Sequence, residues 1–147
     1  MIYIGVDPGS RSGAYADIRG GVVEVFPWDD VFFAEHLKSL LATGDRCKAV
    51  VEKVGAMPKQ GISSTWAFAK NAGYIEGCLT SLGISFQLVP PKTWKKEFSL
   101  TGDKAKSIDV CRKLFPGVDL RRNDNCRVND NNLAEALLMA EYARRKM

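Results

Sequence analysis

Two acidic residues, each closing a short apolar strand pattern, constrain this chain more than any other feature. Ile2, Ile4 and Val6 alternate with Tyr3 and Gly5 in a run rich in strand formers. Asp7 ends that run at a Pro8-Gly9-Ser10 break. Lys48-Ala49-Val50-Val51-Glu52 has the same form, a buried strand ending in a carboxylate. Ligand sites in open α/β sheets form outside the carboxyl ends of strands. If these two strands are neighbours, Asp7 and Glu52 emerge at one edge, close together. Each then raises the other's pKa unless a cation sits between them. Hard divalent cations such as Mg²⁺ prefer oxygen ligands, so the pair asks for a metal.

The remaining pattern places these two strands in one sheet. Ala14 to Ile18 and Val22 to Phe26 read as strands joined across Gly20-Gly21, a hairpin. Phe33, Leu37, Leu40 and Leu41 recur at helical spacing until Gly44. After a loop from Gly55 to Gly61, a long helix starts near Ser63 or Ser64, with Trp66, Ala69, Ala72, Gly73, Leu79 and Leu82 on one broad face. Ile84 to Val89 is a fifth strand, closed by Pro90-Pro91. Lys92 to Phe115 is helical and basic with an interruption around Gly102, Pro116 to Val128 is polar and irregular, and Ala134 to Ala143 is a final helix. Strands joined by short turns are antiparallel, and strands separated by helices are parallel. The expected fold is α/β: a mixed five-stranded sheet, its first three strands antiparallel and its last two parallel, flanked by helices. At 147 residues the chain is expected to form one domain, residues 1–147.

Composition excludes several classes. With 46% hydrophobic and 26% charged residues, disorder is out. No apolar stretch approaches the ~20 residues of a membrane helix, and the start lacks the basic and apolar regions of a signal peptide. An intracellular, cytoplasmic protein without membrane contact is expected. Cys47, Cys78, Cys111 and Cys126 include no close pair and His36 is the lone histidine, so free thiols are expected rather than a zinc module. The net charge of +4 lies wholly in the second half: residues 1–75 carry eight acids and eight bases, residues 76–147 nine and thirteen. A basic excess on one part of the surface suits a polyanionic partner.

A third acid stands in Leu133-Ala134-Glu135-Ala136-Leu137-Leu138. An acid among buried residues is costly unless it is paired or ligating. The alternative is a helix-start carboxylate favoured by the macrodipole, with Asp130 as the N-cap.

Taken in order, Ile4-Gly5-Val6-Asp7-Pro8-Gly9-Ser10, Val50-Val51-Glu52-Lys53-Val54, the helix Trp66 to Leu82 with Ala69-Lys70-Asn71-Ala72-Gly73, and Ala134-Glu135-Ala136-Leu137-Leu138 resemble the RuvC-type Holliday-junction resolvases of the RNase H-like superfamily. The resemblance spans nearly the whole chain. It implies a symmetric homodimer that binds a four-way DNA junction and nicks two opposing strands. Mg²⁺, for which Mn²⁺ substitutes, would be held by four acidic positions. Asp7, Glu52 and Glu135 match three of them. The family's remaining acid lies about one helical turn before Glu135, where this chain has Asn131 and Asn132; Asp130 is five residues back. Asp130 is therefore the expected fourth catalytic and metal-binding residue, with Asn132 an alternative ligand. Two cations roughly 3.5–4 Å apart would activate water and stabilise the leaving 3′ oxygen. The nick would carry 5′-phosphate and 3′-hydroxyl ends.

The resemblance also implies DNA contacts at Lys95 and Lys96 in Trp94-Lys95-Lys96, and at Lys104 and Lys106 in Lys104-Ala105-Lys106-Ser107, with Lys106 supporting catalysis. Lys59, in the loop after Glu52, would meet a phosphate near the junction's crossover point. Three rivals remain open: a junction-binding protein without catalysis on the same fold, a nuclease for RNA–DNA hybrids, and an actin-like ATPase. The last normally needs two such domains.

Overall fold

The computed structural model describes residues 1–100 and 105–147; the expected interruption at Gly102, and Lys104 beside it, lie outside the described residues. The chain runs β1 (Ile2–Asp7), β2 (Ala14–Arg19), β3 (Val22–Pro27), α1 (Asp30–Ala42), β4 (Cys47–Glu52), α2 (Ile62–Ser81), β5 (Ser85–Val89), α3 (Pro91–Glu97), α4 (Ala105–Leu114) and α5 (Asn131–Lys146). The five strands form one sheet in the order β3-β2-β1-β4-β5. β1 pairs antiparallel with β2, and β2 with β3; β1 pairs parallel with β4, and β4 with β5. This is the mixed α/β sheet expected from the order of patterns.

Alternation along the strands sorts side chains into two cores. Ile2, Ile4 and Val6 of β1, with Ala49 and Val51 of β4, pack against Phe33, Leu37 and Leu40 of α1 and Ile75 and Leu79 of α2. On the opposite face, Val50 joins Ala14, Ala16, Trp94 and the apolar side chains of α5. Successive strand residues point to opposite faces. Asp7 therefore shares the α5 face with Tyr3 and Gly5, and Glu52 shares it with Val50.

Two helices depart from expectation. α5 begins at Asn131 rather than Ala134, because Asp130 caps it: its Oδ1 accepts from the amides of Asn132 at 2.8 Å and Leu133 at 3.3 Å. Glu135 thus stands in the second turn, buried, and not at a helix start. On α2 the broad apolar face divides. Ile75 and Leu79 enter the core, whereas Ile62 is 91% and Trp66 72% exposed. Only the second half of this helix reaches the core between sheet and helices; the first half projects beyond it. The four cysteines are free thiols. Among the described residues no helix is long and apolar enough to cross a membrane.

Candidate active site

β1 and β4 are neighbours, with Val6 opposite Val51. Asp7 and Glu52 each follow that pair by one residue, so they leave the sheet side by side on strands ~4.8 Å apart. Glu135 approaches from α5 above them. The carboxylates interact: burial pushes the Asp7 pKa up to about 7, the charges of Glu52 and Glu135 reinforce the rise, and the Gly9 amide and Lys95 oppose it. Glu52 is also raised, first by burial and further by Glu135, against a hydrogen bond from Trp94 and the charge of Lys95.

Two of the carboxylates, Glu52 and Glu135, are held in place. The indole N–H of fully buried Trp94 donates to Glu52 Oε2 at 2.8 Å. Glu135 Oε1 receives Lys95 Nζ at 3.1 Å and the hydroxyl of buried Ser107 at 3.3 Å. Lys95 also lies over the Trp94 ring, 5.2 Å from its centroid. Trp94 and Lys95 are both on α3, which Pro90 and Pro91 start immediately after β5.

Asp130 is engaged differently. One carboxylate oxygen caps α5 and the other accepts from Arg122 Nε at 2.8 Å. Burial works against its ionisation, but Arg122 and the two helix amides outweigh that and hold its pKa below the ordinary value. Asp130 does not figure among the charges acting on Asp7. Asn131, one turn before Glu135 and on the same helix face, carries a buried side-chain oxygen, Oδ1, with no hydrogen-bond partner among the described residues. Asn132 is half-buried in the same first turn.

The donor set fits a hard divalent cation. Three interacting carboxylates share this corner with Lys95, two of them are raised in pKa, and an orphaned amide oxygen lies one turn away. Oxygen donors of this kind suit Mg²⁺ and Mn²⁺ rather than a soft metal. A second group, Asp17, Glu24 and His36, also brings potential ligand atoms within 4.8 Å of one another. There the demand for positive charge is met internally: Arg19 pairs with both Asp17 and Glu24, and His36 Nε2 lies 2.7 Å from Asp17. This group packs on α1, on the sheet face away from α5.

The described ones among the expected DNA-contacting lysines stand on different elements: Lys59 in a loop, Lys95 and Lys96 on α3, and Lys106 on α4. Lys59, Lys96 and Lys106 are exposed, with Lys106 next to Ser107 on α4. Lys59 sits in a turn in which the Gln60 amide donates to the Met57 carbonyl at 3.2 Å, and its φ is +67°. With Pro58 preceding it, that is a type II turn whose second central position favours glycine. Sequence reasoning missed Trp94, Ser107 and Arg122 as supports of the site. For Trp94 a signal existed, since a buried indole N–H usually needs an acceptor.

A mixed sheet with this order, covered by helices and carrying acids at the ends of its first and fourth strands, is an RNase H-like fold. Among solved structures it is similar to RuvC of Thermus thermophilus. One structure, of that protein in complex with a Holliday junction substrate, matches with a TM-score of 0.67 at 15% identity, covering 99% of this chain and 96% of that one. Another RuvC structure matches with a TM-score of 0.61 at 17% identity and the same coverage. No protein-family model matches the chain, and no curated protein matches it significantly.

Proposed function

We propose that residues 1–147 form a single nuclease domain that, as a homodimer, binds four-way DNA junctions and resolves them by paired metal-dependent nicking. The observation that carries this reading is the meeting of Asp7, Glu52 and Glu135, remote in sequence, as mutually repelling carboxylates at the carboxyl edge of an RNase H-like sheet. The similarity to a RuvC structure bound to a Holliday junction supports the substrate class. The basic excess of the second half supports a polyanion.

Asp7, Glu52 and Glu135 would hold Mg²⁺ or Mn²⁺, with the fourth position falling to Asp130, Asn131 or Asn132. Cations bound there would make water nucleophilic and stabilise charge on the leaving oxygen. The water oxygen attacks phosphorus in line, the P–O3′ bond breaks and the 3′ oxygen takes up a proton, leaving 5′-phosphate and 3′-hydroxyl ends. Trp94 fixes the orientation of Glu52, and Lys95 and Ser107 fix that of Glu135. Lys95 offsets part of the carboxylate charge until DNA arrives, then offers a positive charge to the phosphate beside Glu135. Lys59, Lys96, Lys104 and Lys106 would meet other phosphates, with Lys106 nearest the chemistry. The exposed face of α2, where Ile62 and Trp66 precede Gly73 and Gly77, would pack against a second copy. Such an activity belongs in the cytoplasm, with intracellular DNA.

The test is a synthetic four-way junction incubated with and without Mg²⁺, using the wild type and Glu52→Gln. Paired nicking is expected with Mg²⁺ only and is lost in the variant, while junction binding is retained. Unchanged nicking by the variant would defeat the proposed site. The engagement of Asp130 by Arg122 favours one second reading, a junction-binding protein that does not cut. Tight binding by the wild type with no nicking in either metal would select it.

A further inference from the structure

The polar segment between α4 and α5 carries an arginine that reaches across the molecule. Arg122 Nε donates to Asp130 Oδ2 at 2.8 Å, and its Nη2 donates to the carbonyls of Ser12 at 2.9 Å and Gly13 at 3.3 Å. On one side of this fork, the other oxygen of Asp130 caps α5, the helix that carries Glu135. On the other side, Gly13 donates its amide to the Gly9 carbonyl at 3.1 Å, and the Gly9 amide acts on the Asp7 carboxylate, opposing the rise of its pKa. The turn between β1 and β2 is tightly closed: a Cβ on Gly13 would lie 2.1 Å from the Gly9 oxygen and 2.6 Å from the Asp7 oxygen. These contacts link the turn that follows Asp7 to the N-terminus of the helix bearing Glu135, and Arg122 is their centre.

We infer that Arg122 is a positioning residue of the metal site, setting the distance between Asp7 and Glu135; the inference rests on the nuclease reading above. A planar guanidinium can serve a carboxylate and two carbonyls at once, which a lysine ammonium on a flexible stem does poorly. All three of these hydrogen bonds tie Arg122 to groups of its own chain. It also holds Asp130 at the helix cap. Outer groups that orient metal ligands typically change metal affinity or activity by about 10–100-fold when removed.

The experiment compares wild type, Arg122→Gln, Arg122→Lys and Arg121→Gln, the last as a control because Arg121 pairs with its neighbour Asp119. Mn²⁺ affinity is measured by titration calorimetry, and kcat and KM on a four-way junction. Arg122→Gln is expected to weaken Mn²⁺ binding and lower kcat by about 10–100-fold each, with KM for the junction unchanged. Arg122→Lys is expected to recover part of both, and Arg121→Gln to match wild type. Should the glutamine variant fail to fold, the lysine variant, which keeps the charge, carries the test. Folded Arg122 variants with wild-type Mn²⁺ affinity and kcat would overturn the inference. So would a raised KM alone, which would make Arg122 a DNA contact. A wild type that neither binds Mn²⁺ nor nicks would sink the nuclease reading itself; a wild type that does both beside indifferent variants would sink only the role of Arg122.

Discussion

Gly5 of β1 and Ala136 of α5 meet backbone to backbone: a Cβ on Gly5 would lie 2.1 Å from the Ala136 carbonyl oxygen and 2.3 Å from the Ala140 amide nitrogen. This close approach seats α5 directly on the sheet. It brings Glu135, the residue before Ala136, down to Asp7, two residues beyond Gly5. Gly5→Ala forces the helix to lift, because the colliding atoms are backbone and have no rotamer to change. Overpacking of a core commonly costs about 1–3 kcal/mol, and a backbone clash belongs at or above the top of that range. Denaturant unfolding is expected to show that loss, and Mn²⁺ affinity to fall with it. A fully stable Gly5→Ala protein would contradict this packing.

Asp7 gives a pH dependence with a definite sign. Its folded pKa of about 7 lies above the ordinary 3.8, so between those values the folded state binds more protons than the unfolded one. Stability of the metal-free protein therefore falls as pH rises from about 4 to about 7, by at most about 4 kcal/mol. Asp7→Asn should flatten that slope and be more stable than wild type at pH 8 without metal, while losing nuclease activity. Divalent binding should strengthen with rising pH through the same range, since the carboxyl must lose its proton to ligate. Thermal melts at several pH values, with EDTA and with Mn²⁺, check both statements.

Lys59 occupies a position that suits glycine, with φ at +67°. Lys59→Gly is expected to stabilise the fold, by up to about 1 kcal/mol. Junction affinity should fall in the same variant. If Lys59 neutralises one phosphate, the salt dependence of log K should shrink by about one unit. A more stable variant with unaltered junction binding would reduce Lys59 to a surface residue.

Trp66 is 72% exposed on a half of α2 that leaves the core. Trp66→Glu should convert a dimer to a monomer in light scattering while changing the melting temperature of the monomer little. Paired nicking should give way to single nicks, because a lone protomer reaches one strand. A wild type that is monomeric at micromolar concentration would dispose of this interface.

Trp94→Phe removes the hydrogen bond to Glu52 but keeps most of the ring. Leaving this half-buried acceptor without its donor costs about 1 kcal/mol, toward the low end for a lost partner. The variant should show a lower kcat with KM for the junction unchanged.

The sequence by itself determined the strands, their order along the chain and the acids that end two of them. Period-two alternation is local, and the strand ends place Asp7 and Glu52 at one edge once the strands pair; that they share a face follows from the observed register, Val6 opposite Val51. The pattern around Glu135 was legible because an acid inside a run of Leu and Ala demands a reason. Tertiary structure alone decided that β1 lies against β4, that α5 takes the Asp130 cap which the sequence offered only as one alternative, and that only half of α2 is covered. It alone joined Arg122 to Ser12 and Trp94 to Glu52, pairs separated by 110 and 42 residues. The physical reason is range. Periodicity records how each residue meets its own strand or helix, whereas a single hydrogen bond between distant segments leaves no repeating trace. The carboxylates could be read from the chain; the side chains that hold them in place became visible only in the fold.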